Sequence, residues 1–356
     1  MHGASSSPTG PAPRPLRVVQ WATGALGRTA IRAVLNRPDL ELVGAWVHDP
    51  VKAGTDVGTL AGVGPVGIAA TGRLEEVLDL APDCVVYAPA DYDDPASQLD
   101  NVCALLSAGS NVVATNGFVY PHARGPRLAG ELERACERGA SSIHGTGVNP
   151  GFMSDVLPLV LSRLSRDITH IYTRECSDFS THPSWRLVHH TVGFGRSECD
   201  YLRILRPARA VMRSLFGESL HLVAAGLGLE LDEIDATVDH RLAGTELKIA
   251  SGVIPAGTVA ATRWTFNAMA DGRPVLTTEV IHKADAARTP EWGEPGYAVR
   301  VDGRPPMTLT TGPEWVSNGV AAAAAHAVNA IPTVCRAEPG IRTFLDLPPV
   351  TGRPVH

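Results

Sequence analysis

The stretch LRVVQWATGALGRTAIRAVLNRPDLELVGAWVHD, residues 16–49, decides the fold, because it sets a strand, a glycine turn, a helix and a second strand in order. Leu16–Trp21 is a short apolar run rich in β-branched residues, and Ala22-Thr23-Gly24-Ala25-Leu26-Gly27 turns the chain. Leu26, Ala30, Ala33 and Val34 then recur at helical spacing, and Leu40–Val47 makes the next buried strand. Such a turn suits a pyrophosphate. Gly24 lets backbone amides approach the phosphates, Gly27 lets the helix pack on the strand, and the helix start presents free N–H groups. Ala22 occupies the place of the usual first glycine, so ordinary dihedrals are expected there. The complete βαβ context, more than the AxGxxG string, favours a bound dinucleotide over a ligand-free turn.

Composition bounds the rest. At 356 residues the chain is long for one hydrophobic core and points to two domains. A net charge of −6 with no basic run argues against nucleic acid or an anionic membrane as partner. No segment approaches the roughly 20 apolar residues of a membrane span. Residues 1–15 are rich in Ser, Pro, Gly and Ala and read as a disordered tail rather than a signal peptide, which implies a cytoplasmic protein. The cysteines, Cys84, Cys103, Cys136, Cys176, Cys199 and Cys335, show no metal-ligand spacing and read as buried free thiols, and no metal is expected. Lys52, Lys248 and Lys283 are the only lysines, which leaves few nucleophiles for Schiff-base chemistry.

Alternation of strand and helix continues to about residue 150. Asp83–Ala88, Asn111–Thr115 and Ser141–His144 read as strands, and Pro95–Ser107 and Arg127–Arg138 as helices. A connecting helix, Met153–Leu164, follows. From Ile168 to Thr311 the chain reads mainly as strands and turns, interrupted by a helix at about Cys199–Phe216. Pro313 opens an Ala-rich helix, Glu314–Ala330, with proline at its first position. The expected class is α/β: a Rossmann-type doubly wound parallel sheet plus a second α+β domain with a mostly antiparallel sheet. The expected divisions are 1–15 (tail), 16–150 (dinucleotide-binding), 151–311 (substrate and dimerisation) and 312–356 (a helix and tail returning to the first domain).

The strings VVQWATGALGR, LVGAWVHDP, SIHGTGVNPGF, GFGRS and VNAIPTVCRAEPGI, in this order, resemble the dihydrodipicolinate-reductase-like superfamily. More narrowly, they resemble its branch of 2,4-diaminopentanoate dehydrogenase, native amine dehydrogenases and actinobacterial relatives. The resemblance implies hydride transfer between a nicotinamide and a C=O or C=N carbon of a small molecule, in a homodimer. It places Gly24, Ala25, Leu26 and Gly27 at the pyrophosphate turn, where Thr23 and Arg28 are further candidate contacts, Ala88 and Pro89 near the nicotinamide ribose, Asn116 in the loop after the fifth strand, and Asn149 in the loop that meets the nicotinamide ring. Two departures stand out. The amine dehydrogenases carry a glutamate in the loop after the fifth strand, where this chain reads NVVATNGFVYP. True dihydrodipicolinate reductases follow a His-His pair with a Lys and an Asp-x-Pro-Ser-Gly-Thr run, whereas His189-His190 here precedes TVGFGRS.

Without that glutamate, proton donation falls to Tyr120, or to Glu175, Asp178 and His182, with His189 or His190 next; each also has a plain packing or surface reading. Trp185 and Trp264 suit either an apolar pocket or the core. For the coenzyme, Asp49 stands where an acid would hold the ribose of NAD, but His48, Lys52 and Arg28 are nearby cations, which favours NADP slightly over NAD. The expected function is an NAD(P)H-dependent oxidoreductase that reduces ketones or imines rather than aminating efficiently. The alternative is an NADP-binding sensor without turnover.

Overall fold

The computed structural model describes residues 14–89, 95–115 and 117–353. Asn116 and residues 1–13 of the expected tail lie outside the described residues. Arg14, inside that expected tail, is tied down, since its guanidinium meets both Asp83 carboxylate oxygens at 2.6 and 2.8 Å.

The first half alternates β1 (Leu16–Trp21), α1 (Ala25–Leu35), β2 (Leu40–Trp46), α2 (Val57–Ala61), α3 (Leu74–Asp79), β3 (Cys84–Tyr87), α4 (Pro95–Ser107), β4 (Asn111–Ala114), α5 (Pro126–Gly139) and β5 (Ser142–Gly145). Connected by α6 (Val156–Ser162), the second half runs β6 (Arg166–Asp178), α7 (Glu198–Leu227), β7 (Glu233–Leu242), β8 (Leu247–Ile249), β9 (Gly252–Ile254), β10 (Val259–Ala270), β11 (Arg273–Lys283), β12 (Gly296–Arg304) and β13 (Met307–Thr310). Two helices, α8 (Glu314–Ser317) and α9 (Gly319–Val334), and the short β14 (Gly340–Ile341) close the chain.

One sheet is wholly parallel, in the order β2-β1-β3-β4-β5-β14. Its strands are apolar on both faces. Val18 joins a core with α1 and α9, and Val19 and Trp21 join one with α4 and α5. The chain leaves β1 for β2 on one side and returns to β3 on the other, so the crevice for a ligand opens beyond the carboxyl ends of β1 and β3. The second sheet is mixed, in the order β13-β12-β6-β11-β10-β7, with β6 and β11 parallel and the other pairs antiparallel. Ile171, Leu276, Val280, Trp264 and Phe266 point from one face of it into a core with Phe216, Leu220 and Val223 of α7. By the two-residue period, Thr173 and Glu175 share that face with Ile171.

Several expectations need correction. Ala22 does not have ordinary dihedrals: its φ is +72°, in the left-handed region, and its N–H donates to Trp46 O at 2.8 Å. The buried Gln20 amide fixes this turn by donating to the carbonyls of Trp21, Ala22 and Val86 at 2.9, 3.1 and 3.2 Å. Helix α7 runs to Leu227, eleven residues past the expected end at Phe216, because LHLVAAGL extends the apolar stripe without a break and Gly228 then caps it at φ +68°. Pro313 precedes α8 as its N-cap, and Asn318 separates α8 from α9. Cys199 is exposed rather than buried.

Two outcomes test this architecture. A Cβ on Gly27 would lie 2.1 Å from Ala22 O, so Gly27→Ala should cost at least about 1–3 kcal/mol. Ala22→Gly should stay within about 1 kcal/mol of the parent, since relief of left-handed strain offsets the extra freedom of the unfolded glycine. Urea unfolding measures both. Separately, His144 is 6% exposed, and burial pushes its pKa from 6.5 down to about 4 while its Nδ1 meets Arg342 O. The unfolded chain therefore binds the extra proton between pH 6.5 and 4. Relative to His144→Gln, the parent should lose stability as pH falls through that window, by about 3 kcal/mol at its end.

Candidate active site

The first turn of α1, the carboxyl ends of β4 and β5, the face of the second sheet at β6 and β12, and the start of α9 enclose a cavity of about 290 Å³. Leu26, Gly117, Thr146, Asn149, Glu175 and Tyr297 are among the residues that line it. The coenzyme-side turn and a carboxyl group of the second sheet thus meet in one space.

Glu175 is placed by strand pairing. It lies opposite Tyr297 of β12 and beside Val280 of β11. Asn149 Nδ2 donates to its Oε2 at 2.7 Å, and Ser177 Oγ donates to Oε1 at 2.6 Å. Asn149 is held in turn, because Ser154 Oγ donates to its Oδ1, and Ser154 accepts from Thr173 Oγ1 at 3.4 Å. Burial raises the Glu175 pKa above its ordinary 4.5, against the two donated hydrogen bonds, which favour the carboxylate. Glu175 keeps some surface only because it faces the cavity. Tyr297, 4% exposed, is kept neutral by burial and by Glu175, and its hydroxyl has no hydrogen-bond partner among the described residues. Sequence reasoning missed Tyr297: the strand GYAVRVDG is legible, but not the partner it pairs with.

The first turn of α1 fits a pyrophosphate. Gly24 precedes it, no side chain caps it, no acid stands in it, and nothing lies within 4 Å of where a Cβ on Gly24 would point. Thr23 and Gly27 are buried, Gly24, Ala25 and Arg28 are exposed, and Leu26 reaches the cavity. Ala88 donates its N–H to Trp21 O at 3.2 Å, which sets Ala88 and Pro89 at the same sheet edge. His48 is exposed and Lys52 half-buried, while Asp49 accepts the Val51 N–H at 3.0 Å as the cap of a short turn.

The other candidate donors are elsewhere. Neither Tyr120 nor His182 lines the cavity. The Tyr120 N–H bonds to Glu218, and its ring sits edge-on to His122. His182 packs on Phe179 and accepts the Ser184 N–H at 3.2 Å, and burial lowers its pKa. Asp178 caps Ser180 at the surface, and His189, bonded to Phe194 O, stacks on Trp185. Trp264 belongs to the core. No group of three or more His, Cys, Asp or Glu among the described residues could hold a metal, and no described helix is long and apolar enough to cross a membrane.

Residues 152–352 match the family model of the 2,4-diaminopentanoate dehydrogenase C-terminal domain, and residues 18–124 that of the dihydrodipicolinate reductase N-terminus. The chain belongs to this dehydrogenase family. An amine dehydrogenase of Streptomyces virginiae is 33% identical over 355 residues, 95% of this chain and 98% of that one. The 2,4-diaminopentanoate dehydrogenase of Acetoanaerobium sticklandii is 25% identical over 342 residues, covering 94% and 93%. In fold, the chain matches an amine dehydrogenase from Mycobacterium smegmatis with a TM-score of 0.80 at 23% identity, over 95% and 97% of the two chains. This family member is an NAD(P)-dependent oxidoreductase, related to the amine dehydrogenases.

Ser177→Ala removes a donor that favours ionised Glu175 without touching the turn at α1. The Glu175 pKa should rise further, so the limb of the pH–rate profile in which reduction fails at high pH should move to higher pH, as steady-state rates across pH will measure.

Proposed function

We propose that this oxidoreductase reduces a neutral, mainly apolar C=O or C=N compound with NADP as coenzyme, and that Glu175 donates the proton. The observation that carries the reading is a buried carboxyl group, raised in pKa and fixed by Asn149, in the cavity that Leu26 of the coenzyme turn also lines. A nicotinamide, when bound, supplies the hydride for the substrate carbon. Protonated Glu175 gives its proton to the substrate oxygen or nitrogen, and the resulting carboxylate is stabilised by the Asn149 amide and the Ser177 hydroxyl. Tyr297 offers a neutral hydroxyl to the same atom, and Leu26, Val119 and Leu215 keep water away.

The lining also bears on the substrate. Among the described residues it contains no lysine, arginine or histidine, so a substrate carboxylate would lose hydration there with no counter-charge to replace it. Substrates without an acid group are therefore favoured, unlike the diaminopentanoate in one relative's name. The loop Thr115–Pro121 carries no carboxylate of its own, so ammonia-dependent amination should be weak. For the coenzyme, Asp49 is engaged as a turn cap, whereas the Arg28 guanidinium and the His48 imidazole stand exposed. A homodimer in the cytoplasm is the setting we propose.

NADPH oxidation on a panel of neutral ketones, aldehydes and imines tests the reading. Glu175→Gln should lower kcat about 10²–10⁴-fold while NADPH binds as before. Rates in Glu175→Gln equal to the parent's would remove Glu175 from the chemistry, and a parent that binds NADPH without turnover on any substrate would favour the sensor alternative.

A further inference from the structure

Glu218 lies on α7, on the second sheet's side of the molecule, and is only 2% exposed. Its carboxylate reaches the loop that follows β4. Oε2 accepts the Tyr120 N–H at 2.9 Å, the backbone N–H groups of Phe118 and Val119 face the carboxylate closely enough to favour its charged form, and Arg124 Nε lies 3.8 Å from Oε1. This loop is one wall of the cavity, through Gly117 and Val119. Gly117 has φ +79°, and a Cβ on it would point to within 3.6 Å of Glu218 Oε1.

The next residue of α7 holds the adjoining loop. Ser219, fully buried, donates to Asp155 Oδ2 at 2.7 Å, and the same oxygen accepts the Gly151 N–H at 2.8 Å, which secures the loop after β5 that carries Asn149. Two consecutive residues of a helix on the second sheet therefore grip both loops at the carboxyl edge of the first. A buried carboxylate is costly to desolvate, and a leucine would fill the same space without that cost. What leucine would lack is an acceptor for the Tyr120 N–H and a negative charge facing the backbone N–H groups of Phe118 and Val119 and the Arg124 guanidinium.

We propose that Glu218 is a positioning residue for coenzyme binding: by holding the Gly117–Tyr120 backbone against α7, it keeps the β4 wall of the cavity shaped for the nicotinamide end of the coenzyme. This rests on the cavity being the coenzyme and substrate site. Glu218 touches neither substrate nor coenzyme, and acts through the loop. In Glu218→Gln, an NH₂ group must face either the Tyr120 N–H or Arg124, donor against donor, so the loop loses either that hydrogen bond or that ion pair.

The test is NADPH titration by fluorescence, together with kcat and KM, on the full chain. Glu218→Gln should raise the Kd and KM for NADPH roughly tenfold or more, with kcat at saturating coenzyme within about threefold of the parent. Glu218→Asp, which keeps the acceptors on a shorter stem, should recover part of the loss. Hydrogen exchange should quicken at the amides of Phe118, Val119 and Tyr120. Unchanged Kd and unchanged exchange in Glu218→Gln would overturn the proposal. If that variant does not fold, Arg124→Leu decides: it should raise the Kd for NADPH about threefold by leaving Glu218 without its counter-charge, and an unchanged Kd there overturns the proposal. A parent chain that does not bind NADPH would instead refute the reading of the cavity itself.

Discussion

The hydrogen bond from Asn149 to Glu175 is the contact on which the candidate site depends. Asn149 belongs to the loop after β5 of the parallel sheet, and Glu175 to β6 of the mixed one. At 2.7 Å, the bond sets how far the coenzyme edge of one sheet stands from the chemistry-bearing face of the other. It also adjusts the acid. Burial alone would push Glu175 strongly toward the neutral form, and the Asn149 and Ser177 donors pull it back. The balance leaves a group raised above an ordinary carboxyl that can still give up its proton, because two prepared donors stabilise the carboxylate left behind.

A similar economy governs the turn before α1. Alanine in the left-handed region costs on the order of 1–2 kcal/mol, and it persists at Ala22 because the surroundings over-determine it. The Ala22 N–H is fixed by β2, its carbonyl is fixed by Gln20, and Gly27 approaches that carbonyl so closely that only hydrogen fits. The strain is confined to one residue, while Gly24 beside it stays open toward the place of the phosphates.

Much of this was legible in the sequence. The strand Leu16–Trp21 and the helix Pro95–Ser107 fall where periodicity sets them, because parallel strands buried on both faces make dense apolar runs and the helices between them are amphipathic. Glu175 and Asn149 were named from the sequence, the first by its place at a strand end and the second by the resemblance. Their meeting was not legible, since the register of β6 against β11 and β12 is a long-range property. For the same reason Tyr297 and Glu218 went unnamed: a tyrosine in a strand and a glutamate in a long helix look ordinary until pairing and packing bring them to the loops. Tyr120 and His182 failed as donors for a local reason, as each is turned into contacts of its own short segment. Strand β7, EIDATVDHRL, escaped notice because as an edge strand with one exposed face it carries few apolar residues.

The relatives are dehydrogenases, and the cavity of this chain sets one raised carboxyl group and one neutral phenol among apolar, threonine, serine and asparagine side chains, with no lysine, arginine or histidine among its described lining residues. The most direct measurement of that account is the titration of the Glu175 side-chain carboxyl carbon by ¹³C NMR in the NADP-saturated protein, assigned by its disappearance in Glu175→Gln. A midpoint clearly above the ordinary value of 4.5 is expected, and a midpoint at or below it would contradict Glu175 as the proton donor.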